Sequence, residues 1–444
     1  MTIGKFALSA MLASACFAGS AFGQQARVSP YKTVAYSDAA GCNCGPSATA
    51  VCDGSSSCDA LGCYDNSCDS GCGLLGGLGG CCLGEPWELC DGSCGWDIGG
   101  WSTVGYFTED TACFNTYEDR VQLQQQWFYA EKVADGTCGL DIGGRIDYLY
   151  GTDGPDTQAF GNANNSFDNG WDNGIGNSGY GHALPQVYGE VAYGNLSAKV
   201  GHFFTIVGNE VVAATGNFFY SRQFTFYNSE PFTHTGVLTN YAVSDDFNLW
   251  NGYVLGWDSG FEDNGDAYIG GFSRTLNDYT TVIGSTVVGR FSDNLLSTER
   301  GEITSMIFST QLTDNLTHIS QSDYLDTENG RVGGIGRNTW GNINYLIYQM
   351  SDCLAFGQRF EYYNVTRSDF LAQGIKNADT YNYTAGFNYK PTANLTWRPE
   401  MRFIWDKERI GLIDNNFGNN IGNNVPGGNR GSLAVFGNDL VFTY

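Results

Sequence analysis

Basic residues are scarce in this chain. Lys and Arg number 22 against 47 Asp and Glu, a formal charge of −25. Nucleic acid needs a positive face, so this balance excludes it as a partner and favours cations near the protein. Charged residues of both signs make up only 16%, below the ~25% usual in soluble domains. Long apolar runs are rare too. The N-terminus holds the one unbroken run, too short and wrongly flanked for a spanning helix. Histidines occur only at 182, 202, 234 and 318. No G-x-S-x-G elbow, no H-E-x-x-H pair and no paired C-x-x-C knuckles are found. These absences remove helical membrane proteins, nucleic-acid binders and the commonest motif-bearing hydrolases.

What is abundant is aromatic (14%) and glycine (61 residues). The stretch 381–405 shows how they are used. Tyr381, Tyr383, Ala385, Phe387 and Tyr389 alternate with Asn382, Thr384, Gly386, Asn388 and Lys390. After the turn Pro391-Thr392-Ala393-Asn394, Leu395, Trp397, Pro399, Met401, Phe403 and Trp405 alternate with Thr396, Arg398, Glu400, Arg402 and Asp406. Period two with a short turn is a β-hairpin. A soluble sandwich also alternates, but an Arg-Glu-Arg ladder behind a large aromatic face suits a strand with lipid outside and water inside.

Sixteen such strands are expected, at roughly 97–108, 121–132, 139–150, 184–193, 196–205, 236–243, 247–257, 266–275, 279–290, 301–311, 316–326, 338–349, 354–364, 380–390, 395–406 and 434–444. Their connections fall into two sets. Short Asn- and Asp-rich turns occur at 194–195, 244–246, 276–278, 313–315, 351–353 and 391–394. Longer loops occupy 109–120, 151–183, 206–235, 258–265, 291–300, 327–337, 365–379 and 407–433. The fold class read from this is all-β: a transmembrane antiparallel barrel of about 16 strands, short turns at one mouth and long loops at the other. An even count puts both termini on the short-turn, periplasmic side. Leu440, Phe442 and Tyr444 alternate to the end of the chain, which suits a closing membrane strand.

The first residues read as a secretory signal, 1–23: Lys5, the apolar stretch Phe6–Ala18, then Ala21-Phe22-Gly23 before Gln24. A lipoprotein reading at Ala13-Ser14-Ala15-Cys16 has Ala where Leu is expected. Residues 24–95 form a separate extension with eleven of the fifteen cysteines, at 42, 44, 52, 58, 63, 68, 72, 81, 82, 90 and 94. After export they meet an oxidising compartment, so a disulfide-stapled periplasmic arm is expected. Zinc is the alternative, but the spacing is irregular and no His lies there. No metal or other cofactor is expected. The barrel itself is assigned to 96–444.

Several stretches resemble the Putative beta-barrel porin-2 (OmpL-like) family. They are Q-L-Q-Q-Q-W-F-Y-A-E-K at 122–132, G-L-D-I-G-G-R-I-D-Y-L-Y-G-T-D at 139–153, K-V-G-H-F-F-T-I-V-G-N-E-V-V-A-A-T-G-N-F-F-Y-S at 199–221, E-P-F-T-H-T-G-V-L at 230–238 and L-G-W-D-S-G-F-E-D at 255–263. The likeness runs from about Trp96 to Tyr444. It implies an outer-membrane barrel that acts as a pore.

Candidate pore-lining residues follow from strand facing. Asp141, Arg145 and Asp147 oppose Leu140, Ile142, Ile146, Tyr148 and Tyr150. Arg359 and Glu361 oppose Leu354, Phe356, Phe360 and Tyr362. Arg398, Glu400, Arg402 and Lys199 complete the wall set. Such charges either pair across strands or act on passing solutes. The loop 206–235 carries Phe218, Phe219, Tyr220, Phe224, Phe226, Tyr227 and Phe232, too apolar for full exposure. It is expected to fold into the lumen, carrying Glu210 and Glu230 toward the arginines; packing over the mouth or in a homo-oligomer interface is the alternative.

The expected function is passive diffusion of small hydrophilic solutes or ions through a water-filled barrel in outer-membrane lipid, narrowed by loop 206–235. A structural envelope barrel anchored by the cysteine arm, with little conductance, is the alternative. A lipid-cleaving barrel is a third class, since His318 and Ser320 share a face; a lipid-ester assay in detergent separates it from a pore. Cys113 in a long loop and Cys138 in a short turn are expected at opposite mouths, beyond disulfide reach.

Overall fold

The computed structural model describes residues 83–89, 95–111, 114–162, 166–172, 179–294, 297–329, 336–367, 377–406 and 431–444. The signal segment, the eleven arm cysteines and Cys113 lie outside the described residues; Cys138 is exposed in the turn 133–140.

Period-two alternation becomes a single closed antiparallel sheet. Its segments are β1 Asp97–Phe107, β2 Gln122–Lys132, β3 Asp141–Gly151, β4 Gly181–Ala183, β5 Val187–Tyr193 and β6 Leu196–Phe204. Next come β7 Thr233–Ser244, β8 Phe247–Val254, β9 Asp266–Asn277, β10 Thr280–Asn294, β11 Ser297–Thr313 and β12 Leu316–Glu328. The last are β13 Asn338–Ser351, β14 Leu354–Arg367, β15 Ala378–Thr392, β16 Leu395–Asp406 and β17 Ser432–Thr443. Apart from β4 and β5, each pairs with its sequence neighbour, and β1 pairs with β17, from Trp101 opposite Thr443 to Phe107 opposite Gly437. Among the described residues closure leaves no edge strand with unpaired backbone groups, which a bilayer requires.

Seventeen segments make sixteen staves, because β4 and β5 are halves of one. Both pair with β3, β4 at Leu149–Gly151 and β5 at Asp141–Ile146. The stave expected at 184–193 therefore starts earlier, at Gly181 inside the expected loop 151–183, and is broken at 184–186. Pro185 has no N–H to give the ladder. Asp147 spans the break: its backbone N–H donates to Gln186 O at 2.8 Å, and its Oδ2 accepts from Gln186 Nε2 at 2.8 Å. A second difference lies at 291–300, expected as a long loop. There β10 continues to Asn294 and β11 starts at Ser297, so that hairpin extends beyond its neighbours.

Turns at one mouth are two residues long at 194–195, 245–246, 278–279, 314–315, 352–353 and 393–394. The start of β1 and the end of β17 lie at that mouth. The described part of the extension rests there too. Trp87 N donates to Asn394 Oδ1 at 2.7 Å, and its ring stacks on Phe442 with centroids 6.5 Å apart.

Facing follows the alternation. Along β16, Trp397, Met401, Phe403 and Trp405 are exposed, while Arg398, Glu400, Arg402, Ile404 and Asp406 are buried. The inward face also carries apolar groups that alternation alone does not disclose. Leu238, Trp250, Val254, Ile269, Val287, Ile303 and Leu325 form a buried arc on the inside of β7–β12.

Candidate functional site

The chain between β6 and β7, residues 205–232, fills the middle of the barrel. It enters through Gly208, whose φ of +84° is the left-handed region that a side chain disfavours; a Cβ there would also lie 1.9 Å from Glu230 Oε2. A 3-10 turn, Ala214–Gly216, and a short helix α1, Phe224–Ser229, give the loop its shape. The barrel makes room with glycine. A Cβ on Gly105, Gly341 or Gly357 would fall within 2.4 Å of Tyr220, Thr225 or Phe218.

The loop's apolar side chains spread to all sides of the lumen. Ile206 and Val207 join the β7–β12 arc. Val212, Phe226 and Phe232 pack with Trp101, Trp127 and Leu149. Tyr220 and Phe224 pack with Phe107, Tyr363, Ile404 and Val435, and Phe219 with Ile343 and Tyr345. Burial of these aromatics is what holds a loop of this composition inside.

Wall charges hold its backbone. Glu400 accepts from the backbone N–H of Tyr220 at 2.9 Å and of Ser221 at 3.2 Å. Glu361 accepts from the N–H of Phe224 at 3.0 Å and of Thr225 at 2.8 Å. Those are the open amides at the start of α1, so a carboxylate on β14 caps a helix in the loop. Arg398 donates to the carbonyls of Ala214 and Asn217, both at 2.8 Å, and pairs with Asp439 at 2.5 Å. Arg359, 0% exposed, donates to Ser221 O at 2.8 Å and pairs with Glu210 at 2.5 Å. Tyr345 donates to the same Glu210 oxygen at 2.8 Å. Arg402 donates to Asn382 Oδ1 at 3.1 Å and lies 4.7 Å over the Phe224 ring. Each buried charge thus has hydrogen-bonding partners, the condition under which burial is tolerable.

Glu230 stands apart from the arginines. Gln321 Nε2 donates to Glu230 Oε1 at 2.8 Å and to Asp323 Oδ2 at 2.8 Å, so one amide bridges two buried carboxyls. Burial, and then the facing Asp323, push the Glu230 carboxyl well above the usual carboxylate range.

The expected wall residues therefore form two groups. Arg359, Glu361, Arg398, Glu400 and Arg402 meet the loop. Asp141, Arg145, Asp147 and Lys199 cluster instead on β3–β6, toward the turn mouth. Arg145 lies 2.8 Å from both Glu131 and Asp147, Asp141 is 2.9 Å from Lys132, and Lys199 donates to Tyr188 at 3.1 Å. Glu210 and Glu230 were expected to face the arginines across an opening. Glu210 touches Arg359 directly, and Glu230 turns to Asp323, because the loop crosses the lumen in contact with the wall. His318 bonds Asn344 Oδ1 at 3.1 Å. Sequence reasoning missed Gln125, Asp153, Arg222, Gln321 and Asp439. Gln125 takes Val212 O and the Ala214 N–H of the loop, at 2.8 and 3.0 Å. Its signal was the glutamines at 122 and 124–126, too polar for a strand with both faces dry.

Against known proteins, the family described as "Putative beta-barrel porin-2, OmpL-like" matches residues 95–444. No curated protein matches in sequence. Among solved structures, OmpT of Vibrio cholerae aligns at 12% identity with a TM-score of 0.49, over 79% of this chain and 97% of that one. An anion-selective porin from Comamonas acidovorans aligns at 11% and 0.49, over 79% and 99%. The outer membrane channel DcaP of Acinetobacter baumannii aligns at 10% and 0.48, over 81% and 100%. The family model spans the whole barrel: this chain belongs to the OmpL-like beta-barrel porin-2 family and is an outer-membrane porin.

Proposed function

We propose that the chain passes small hydrophilic solutes or ions passively and that loop 205–232 sets the width of the path. The observation that carries this is the tie of the loop backbone to Glu361, Glu400, Arg359 and Arg398. Four charges on four side chains hold a segment across the lumen, where it must meet anything that passes. Solutes then cross between the loop and the wall, and the chain's excess of acidic groups gives a modest cation preference. In this reading both termini and the 24–95 extension are periplasmic, and 1–23 is removed on export.

A second reading is a structural barrel of very low conductance. It is favoured by the loop reaching apolar clusters on every side. Planar-bilayer recording of the purified protein separates the two. Steps of defined conductance that grow when residues 211–229 are deleted support the channel with its constricting loop. A folded protein with no steps, before or after deletion, supports the structural barrel.

A further inference from the structure

Four polar atoms on buried side chains around one cavity, beside the middle of loop 205–232, have no hydrogen-bond partner. They are Thr103 Oγ1 on β1, Gln124 Oε1 on β2, Asp153 Oδ1 just past β3, and Arg222 Nε on the loop. All four side chains line one cavity of about 10 Å³, and all are between 1% and 3% exposed. Their other polar atoms are occupied. Asp153 Oδ2 accepts from Gln125 Nε2 at 2.8 Å, and Gln124 Nε2 bonds the Tyr220 hydroxyl. Arg222 Nη1 and Nη2 donate to Tyr220 O at 3.1 Å and Val212 O at 2.8 Å.

Unpaired polar atoms are costly in such a place, and four in one cavity form a built site rather than a scatter of defects. Charge selects the occupant. Arg398, also at the cavity, is balanced by Asp439. A cation would meet Arg222, and an anion would meet the acceptor oxygen of Gln124 and the carboxyl of Asp153, so a neutral molecule fits best. Volume selects further, since about 10 Å³ admits one molecule the size of water. The atom types complete the match. Arg222 Nε–H can only donate, Gln124 Oε1 can only accept, and the Thr103 hydroxyl can do either.

We propose that this cavity is a binding site for a single water molecule, which accepts from Arg222 and Thr103 and donates to Gln124 and Asp153. The water joins three neighbouring staves to the loop with four bonds no side chain could make at once. It also tolerates either state of Asp153. Burial pushes that carboxyl up to about 8, and a protonated Asp153 would donate to a water that then turns its second hydrogen to Thr103.

The test is a crystal structure resolving ordered waters, with parallel soaks in bromide and in rubidium. One water peak bonded to all four atoms, with no anomalous peak in either soak, is the expected result. A bromide or rubidium peak would make it an ion site and overturn the proposal. So would a closed cavity in which Asp153 pairs directly with Arg222. In solution, oxygen-17 relaxation dispersion on detergent-solubilised protein counts long-lived internal waters. Thr103→Val should lower that count by one and Thr103→Ser should not; an unchanged count in a folded Thr103→Val protein also overturns it.

Discussion

Met401 and Arg402 are consecutive residues that meet opposite solvents. Met401 is 38% exposed on the outer face, and Arg402 is 1% exposed on the inner. A charge on the lipid face at mid-membrane costs about 2–4 kcal/mol. Arg402→Met removes the bond to Asn382, a longer 3.4 Å bond to Thr111 and a contact with Phe224, about 1–2 kcal/mol, while Asn382 keeps its bond to Glu361. Met401→Arg should therefore impair assembly far more than Arg402→Met. Heat-modifiable gel migration reads the folded fraction; equal losses from the two changes would refute the facing of β16.

At the scale of elements, the loop is held by two kinds of contact with different pH behaviour. On β14–β17 it is tied by charged groups with opposite or neutral partners. On β12 it is tied through Glu230, which faces Asp323 across Gln321. The folded carboxyl of Glu230 holds its proton to higher pH than the unfolded one. Its contribution to stability is complete below the unfolded value and is lost as pH rises through the folded one. Rising pH should loosen this side of the loop, and Glu230→Gln should flatten the dependence. Limited proteolysis of loop 205–232 over a series of rising pH is the measurement, and wild-type cleavage that does not rise with pH would contradict the assignment. The element boundaries teach a related lesson. Alternation located nearly every stave, yet it ran through Pro185, because facing depends on side chains and pairing depends on the backbone N–H that proline lacks.

For the whole molecule, closure fixes what a single strand cannot: which mouth carries which connections. With an even number of staves both ends of the barrel lie at the turn mouth. If that mouth is periplasmic, an epitope inserted at 314–315 should stay hidden from antibody on intact cells, and one inserted at 261–263 should be bound. The reverse pattern would invert the barrel in the membrane. Trp87 against Phe442 places the described end of the extension at this same mouth.

The sequence by itself determined the class of fold, the count of staves, the two kinds of connection and the facing of charges such as Arg359, Glu361 and Arg398. These are local properties: a period of two, a turn residue, an aromatic on one side and a charge on the other. It also marked 206–235 as a loop that must be buried, since its aromatics have no other use. Tertiary structure alone decided what the inward charges meet. Glu361 caps α1, Glu400 holds Tyr220 and Ser221, and Glu230 finds Asp323 rather than an arginine. The inner apolar arc from Leu238 to Leu325 was likewise invisible, because an inward Val or Trp alternates with outward groups no less regularly than an inward Ser. The pairings of Glu230, Glu361 and Glu400 join residues from 93 to 180 positions apart. No local pattern encodes them; they exist only because closing the barrel and folding in one loop bring distant inward faces into contact.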